Sequence, residues 1–269
     1  MSKVLTVGIG GFGAVGRKVA EALDKGTPGI RLAAISARDH DKAKRNMASF
    51  KQEIPIVGLG ELAECDIVVE GLPAAAFDEI ALPAIEAGRI FVPTSVGQIL
   101  PRMYLVDRAQ ETGARIVAPT GALLGLDAVR AAAEGIIHSV TMITRKPPNG
   151  LEGAPHLIDN NISVEGLNVA KLVFEGSARE GAIGFPANVN VAAALALAGI
   201  GADKTKLQIW ADPEVDRNMH RIEVEADSCR FTLEIANVPS EENPRTGKNT
   251  ALSVITCLKG LVSPLKVGS

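Results

Sequence analysis

The sequence predicts an α/β chain in two parts: a doubly wound parallel sheet, then a second α+β domain built on a mostly antiparallel sheet. Three observations carry this. Strand and helix patterns alternate up to about Pro119. The first strand runs into a glycine-rich turn and an amphipathic helix. Beyond Pro119 the strands alternate apolar and polar residues, as a sheet with one wet face requires.

Val4-Leu5-Thr6-Val7 reads as a short buried strand, and Arg17 to Leu23 as a helix. Between them lies Gly8-Ile9-Gly10-Gly11-Phe12-Gly13-Ala14-Val15-Gly16. The spacing G-x-G-x-x-G fits twice, as Gly8/Gly10/Gly13 and as Gly11/Gly13/Gly16. The second is preferred, because Val7 to Gly10 then finish the strand and the helix starts at Ala14. Strand, glycine turn and helix form the phosphate-cradling unit of a Rossmann-type dinucleotide domain. Glycines let the backbone approach a pyrophosphate whose charge then sits at the helix N-terminus. Gly11, Phe12, Gly13, Ala14, Val15 and Gly16 are therefore the expected cofactor-binding loop.

The next strand is Ile30–Ile35, and Asp39–Phe50 reads as a polar helix. Strands follow at Asp66–Glu70, Arg89–Thr94 and Ala114–Ala118, with helices at Pro73–Ala87 and Leu100–Glu111 between them. In the second half, strands are expected at Ile137–Thr144, Lys206–Ala211, Arg221–Glu225 and Arg230–Ala236. Helices are expected at Ala178–Ile183 and Val191–Ala198. The final helix, Asn249–Leu261, is expected to pack on the first domain, since alone it has little to bury against. The expected division is a dinucleotide domain of residues 1–119, completed by residues 245–269, and a catalytic domain of residues 120–244. Lys146–Asp159 and Asn237–Lys248 read as long loops, which are often functional.

The residue about twenty beyond the glycine loop separates the two nicotinamide cofactors. An acid bonds the ribose 2′-hydroxyl of NAD, and an Arg accommodates the 2′-phosphate of NADP. Here Ser36 and Ala37 take the acidic place and Arg38 follows. NAD or NADP is expected, with Arg38 favouring NADP; Arg38 as a solvated loop charge, or Asp39 folding back on the ribose, stay open.

Composition excludes several classes. A net charge of -3 without a basic stripe argues against nucleic acid as a partner. Aromatic residues at 3% leave no stacking platform. Cys65, Cys229 and Cys257 are odd in number and far apart, which indicates neither a disulfide framework nor a zinc site. No apolar run reaches the roughly 18 residues of a membrane span, and no leader pattern precedes the first strand. A reducing cytoplasmic setting without membrane attachment is the expectation.

A nicotinamide enzyme that oxidises an alcohol or amine needs a proton acceptor, most often His. His40 falls on a surface helix, His156 in a loop, and His138 on a strand face with Val140 and Met142. His220 starts a strand with Ile222 and Val224 on its face, where it is either catalytic or a hydrogen-bonded strand end.

Several segments of the second half carry a resemblance. They are Thr120-Gly121-Ala122-Leu123-Leu124-Gly125-Leu126-Asp127, Phe174-Glu175-Gly176-Ser177-Ala178 and Phe185-Pro186-Ala187-Asn188-Val189-Asn190-Val191. Ala211-Asp212-Pro213, Arg217-Asn218-Met219-His220 and Asn237-Val238-Pro239-Ser240-Glu241-Glu242-Asn243-Pro244 continue the series. In order and spacing these resemble the aspartate dehydrogenase family, L-aspartate:NAD(P) oxidoreductases. The resemblance implies that His220 is catalytic and that Ala122 and an Asn of the Phe185–Val191 segment line the nicotinamide site. Asn190 is favoured for that contact and Asn188 is next; both could equally be helix caps. Two departures are Thr120 where Ser is usual, and Gly71-Leu72 where a Cys-Ala-like pair is expected.

Such an enzyme takes a dicarboxylic amino acid as its small-molecule partner. Its ammonium must first lose a proton, its oxidation then removes a hydride from Cα and leaves an imine, and water must attack that imine. One His poised near neutrality serves either step. Lys146, in the long loop, and Arg217 are possible carboxylate partners. The expected assembly is a homodimer. The implied place in metabolism is supply of iminoaspartate for NAD synthesis, or aspartate breakdown. Rival readings are a dihydrodipicolinate-reductase-like or homoserine-dehydrogenase-like enzyme, and a non-catalytic dinucleotide sensor.

Overall fold

The computed structural model describes residues 3–186, 189–242 and 247–268. The chain divides into two compact units, Met1–Gly121 with Thr250–Lys266, and Ala122–Asn249 with Val267–Ser269.

The first unit alternates β1 (Leu5–Gly10), α1 (Ala14–Lys25), β2 (Ile30–Ser36), α2 (His40–Asn46), β3 (Ile67–Glu70), α3 (Phe77–Glu86), β4 (Ile90–Pro93), α4 (Tyr104–Thr112) and β5 (Arg115–Ile116). Its five strands are all parallel, in the order β2-β1-β3-β4-β5. Every residue of β3 is buried, as a strand covered on both faces must be. Ile67 and Val69 join Val7, Ile9, Val19 and Leu23 on one face, while Val68 joins Phe77, Ile80, Phe91 and Leu105 on the other.

Several elements are shorter than the sequence suggests, α4 among them, which begins at Tyr104 rather than Leu100. Helix α2 stops at Asn46 rather than reaching Phe50, and β5 pairs with β4 over two residues only. The segment expected to be helical from Pro73 opens as a 3-10 turn at Ala74–Ala76 before α3 begins. Pro73 is extended, as a residue ahead of the first turn is.

The second unit contains α5 (Leu126–Ala133), β6 (Ile137–Lys146), α6 (Pro155–Asp159), β7 (Lys171–Ser177), α7 (Ala178–Gly184), α8 (Asn190–Ala198), β8 (Lys206–Ala211), β9 (Met219–Ala226) and β10 (Arg230–Ala236). The strand order is β10-β9-β6-β8-β7. Only β6 and β8 run parallel; the other pairs are antiparallel. Burial along β6 alternates from Val140 onward, so that Val140, Met142, Thr144 and Lys146 share the covered face. Helix α8 is apolar around its circumference and buries Ala192 to Ala196.

Three elements, α5, α6 and β7, were not anticipated. Helix α5 follows a glycine-containing segment that reads as loop, and Gly125 before it is left-handed at φ 69°. Strand β7 breaks its alternation at an irregularity between Leu172 and Phe174. The expected loop Lys146–Asp159 is also more ordered than a loop: its first residue ends β6 and its last turn is α6. After the second unit, α9 (Lys248–Gly260) sends Val254 and Leu258 into the core that holds Val7 and Ile9.

Candidate active site

The glycine turn resolves the two readings of its spacing. Gly8 and Gly10 lie inside β1, and α1 starts at Ala14 with Gly13 as its N-cap. Gly11 has φ +91°, and a Cβ there would stand 2.2 Å from the Gly71 carbonyl oxygen. A Cβ on Gly16 would stand 1.9 Å from the Gly11 carbonyl oxygen. A Cβ on Gly13 would meet nothing within 4 Å. The three positions thus differ: the first makes the turn, the third lets helix lie against strand, and the middle one keeps the backbone open. Those are the distinct demands of a pyrophosphate cradle. Phe12, Ala14 and Val15 are half-buried around it, and Phe12 and Val15 pack on the core.

At the end of β2 the Ser36 carbonyl accepts from the Gly11 amide at 2.9 Å, which ties the second strand to the turn. Ser36 is buried and Arg38 is exposed. Asp39 is the N-cap of α2, its Oδ1 accepting from the Lys42 amide at 2.9 Å. Its side chain therefore has a local task as a helix cap.

In the second unit, Thr144 and His220 face each other across β6 and β9. Thr144 Oγ1 and His220 Nδ1 are 3.1 Å apart, and both residues are buried. Lys146, two residues along the same face, is buried as well. Burial disfavours its charged form and lowers its pKa to about 8. Burial, and then the Lys146 charge, push His220 down to about 3. The expectation of a histidine poised near neutrality is corrected here: His220 is neutral across the physiological range. A neutral imidazole is a proton acceptor. If Nδ1–H donates to Thr144 Oγ1, Nε2 carries the free lone pair.

Lys146 also lines a cavity of about 940 Å³ whose wall includes Leu151, Phe185, Arg217, Asn218 and Asn237. His220 is not among the lining residues of this cavity. The placement of Lys146 in the long loop is corrected, since the strand continues two residues further than its apolar alternation suggests. Arg217 is half-exposed and bonded to its neighbour Asp216 through both carboxylate oxygens, at 2.6 and 2.7 Å. Asp212 is buried, accepts from Arg145 at 2.8 Å, and pairs its amide with the Lys146 carbonyl at 2.8 Å. Asn237 donates from Nδ2 to the Ala122 carbonyl at 3.1 Å.

Of the other histidines, His138 and His156 part ways with expectation, while His40 lies on a surface helix as expected. His138 is exposed, next to an irregularity in the β6–β9 pairing, and so is not a covered sheet residue. His156 is half-buried on α6, with its ring 5.2 Å from Phe174 and 5.4 Å from Phe185, and so is not a solvated loop residue. His40 is exposed at the start of α2. Asn190 is exposed and opens α8, and Asn188 lies outside the described residues. Thr144 and Asn237 are additions that sequence reasoning missed. Thr144 had a signal, being in period-two step with Met142 and Lys146.

Residues 127–261 match the family described as "Aspartate dehydrogenase, C-terminal". Residues 11–119 match "Homoserine dehydrogenase, NAD binding domain". The chain is 52% identical to an L-aspartate dehydrogenase of Bradyrhizobium diazoefficiens, covering 100% of this chain and 95% of that one. The chain belongs to the aspartate dehydrogenase family. An L-aspartate dehydrogenase of Methanocella arvoryzae is 40% identical over 98% of this chain and 99% of its own. A crystal structure of aspartate dehydrogenase from Thermotoga maritima shares the fold, with a TM-score of 0.72 at 24% identity, over 98% of this chain and 99% of that one. Membership in this family makes the protein an oxidoreductase, and the half that carries His220, Thr144 and Lys146 is the half matched to aspartate dehydrogenase.

Proposed function

We propose that the protein catalyses the NAD(P)-dependent oxidative deamination of L-aspartate to iminoaspartate, which water converts to oxaloacetate and ammonia, and the reverse reaction. The observation that carries this is the buried, neutral His220 held by Thr144 beside Lys146, in a chain of this family. When bound, the dinucleotide supplies the hydride acceptor for the substrate α-carbon. The open backbone at Gly13, between the tight positions Gly11 and Gly16, fits its pyrophosphate. Amide groups from Phe12 to Gly16 and the start of α1 would hold it. Ala122 and Asn190, with Asn188 as the next choice, are proposed to line the nicotinamide.

His220 Nε2 takes a proton from the substrate ammonium, so that the nitrogen lone pair is available to form the imine. Once that proton has passed to solvent, the neutral ring can take the proton of the water that attacks the imine. Thr144 is a positioning residue that fixes the ring and its tautomer. Lys146 supplies positive charge for a substrate carboxylate in a site poor in water, where such a pair is strongest. Arg38 supports the use of NADP as well as NAD.

The test is turnover: purified protein with L-aspartate and either dinucleotide, followed through the absorbance of the reduced cofactor. Reduction that depends on L-aspartate is the expected result. Cofactor binding without turnover in either direction would sink the proposal.

A further inference from the structure

We infer that Asn237 is the residue that recognises the substrate amino group, and that it does so while holding the Ala122 carbonyl in place; this rests on the aspartate reading above. Asn237 follows β10, and its amide donates to the Asn218 carbonyl at 2.9 Å, one step beyond the Ala236–Met219 pair. That register sets it close along the ladder to His220, which pairs with Ile235. The residue is 5% exposed and lines the same cavity as Lys146.

Its two side-chain atoms stand differently. Nδ2 is committed to the Ala122 carbonyl at 3.1 Å. That bond also settles which atom is the acceptor. Oδ1 is buried and has no hydrogen-bond partner among the described residues. Buried side-chain acceptors in folded proteins are nearly always satisfied, so an orphan at a cavity wall asks for a donor from outside the fold. Gly247, also in the wall, is the neighbour on that side: a Cβ there would approach Oδ1 to 3.2 Å.

The chemistry of the substrate names the donor. Both carboxylates of aspartate are ionised and only accept; its amino group alone donates. The cavity wall supplies cationic donors in Lys146 and Arg217 for the carboxylates, and Asn237 Oδ1 is the complementary acceptor. A bond from the amine to Oδ1 would also orient the nitrogen, and through Nδ2 its position is coupled to Ala122.

The experiment compares L-aspartate with succinate, which has both carboxylates and no amine, by calorimetric titration of the protein loaded with reduced dinucleotide. In Asn237→Ala the preference for L-aspartate over succinate should fall about tenfold or more, the worth of a hydrogen bond to a charged group. Succinate affinity should stay within about twofold, which a merely structural role would not allow. Asn237→Asp, equal in size, keeps an acceptor for the amine and loses the donor to Ala122. It should retain the preference, and it decides the matter alone if the Ala variant does not fold. An unchanged preference in Asn237→Ala, or its loss in Asn237→Asp, would overturn the assignment. Failure of the aspartate reading itself looks different: the unsubstituted protein would then bind neither dicarboxylate.

Discussion

Replacing two glycines of the same turn by alanine should have opposite consequences. At Gly16 the added methyl would stand 1.9 Å from the Gly11 carbonyl oxygen and 3.2 Å from Ile9 Cγ2. The first distance is about 1.5 Å short of ordinary contact, and the obstacle is backbone, which cannot rotate away. Helix α1 must move off β1, at a cost of about 1–3 kcal/mol or more. For a domain of this size that is roughly 2–4 °C of Tm per kcal/mol. At Gly13 the methyl meets nothing within 4 Å, and φ -86°, ψ -160° is open to alanine. Alanine gains about 0.4–1 kcal/mol from a less flexible unfolded chain and loses a similar amount as an N-cap, so stability barely changes. Its methyl projects instead where the pyrophosphate would approach. Thermal unfolding and calorimetric titration with NADH separate the two. Gly16→Ala should lose several degrees of Tm (about 2–12 °C). Gly13→Ala should unfold as the unsubstituted protein does and bind NADH at least about tenfold more weakly. A Gly13→Ala variant that binds NADH normally would refute the assignment of the cradle to Gly11, Gly13 and Gly16.

Two further outcomes follow from single residues. Arg38→Ser should weaken NADP by about tenfold and leave NAD unchanged, read as the ratio of the two dissociation constants; equal losses would make Arg38 a surface charge. His220 has its pKa lowered from 6.5 to about 3 by burial and the Lys146 charge. Below pH 6.5 the unfolded chain therefore binds a proton that the folded one refuses, so this residue lowers stability progressively as pH falls from 6.5 towards 3. His220→Gln should flatten that part of the Tm–pH curve, and an unchanged slope would mean the ring is not buried neutral.

The dinucleotide unit was largely legible because its signals are local. A strand, a turn and a helix follow one another from Leu5 to Lys25, and the start of α1 at Ala14 could be read from the glycine spacing. Two registers fit the spacing, and the one preferred from the strand end agrees with Gly8 and Gly10 lying inside β1 and with the approach of Gly16 to the Gly11 carbonyl. In the second unit the long strands β6, β8, β9 and β10 were legible from alternation, while β7 was hidden by its irregular pairing. Lys146 reads as a loop residue because the strand reads as ending at Thr144. Its burial depends on the ladder with β8, where it pairs with Ala211. Asn237 stood in a segment that carried the resemblance, but its role could not be read there. Its meaning lies in the Asn218 and Ala122 carbonyls, which only folding brings to it. His220 was identified through its neighbours in sequence, but its charge state was not, because desolvation is a property of the packed sheet.

The central claim is that His220 moves the protons in the oxidation of L-aspartate, and turnover by His220→Ala beside the unsubstituted protein tests it most directly. With L-aspartate and a dinucleotide, the unsubstituted protein should reduce the cofactor. The variant should bind NADH equally well and turn over about two to four orders of magnitude more slowly, the usual worth of a general base. Near-normal turnover by the variant would contradict the account.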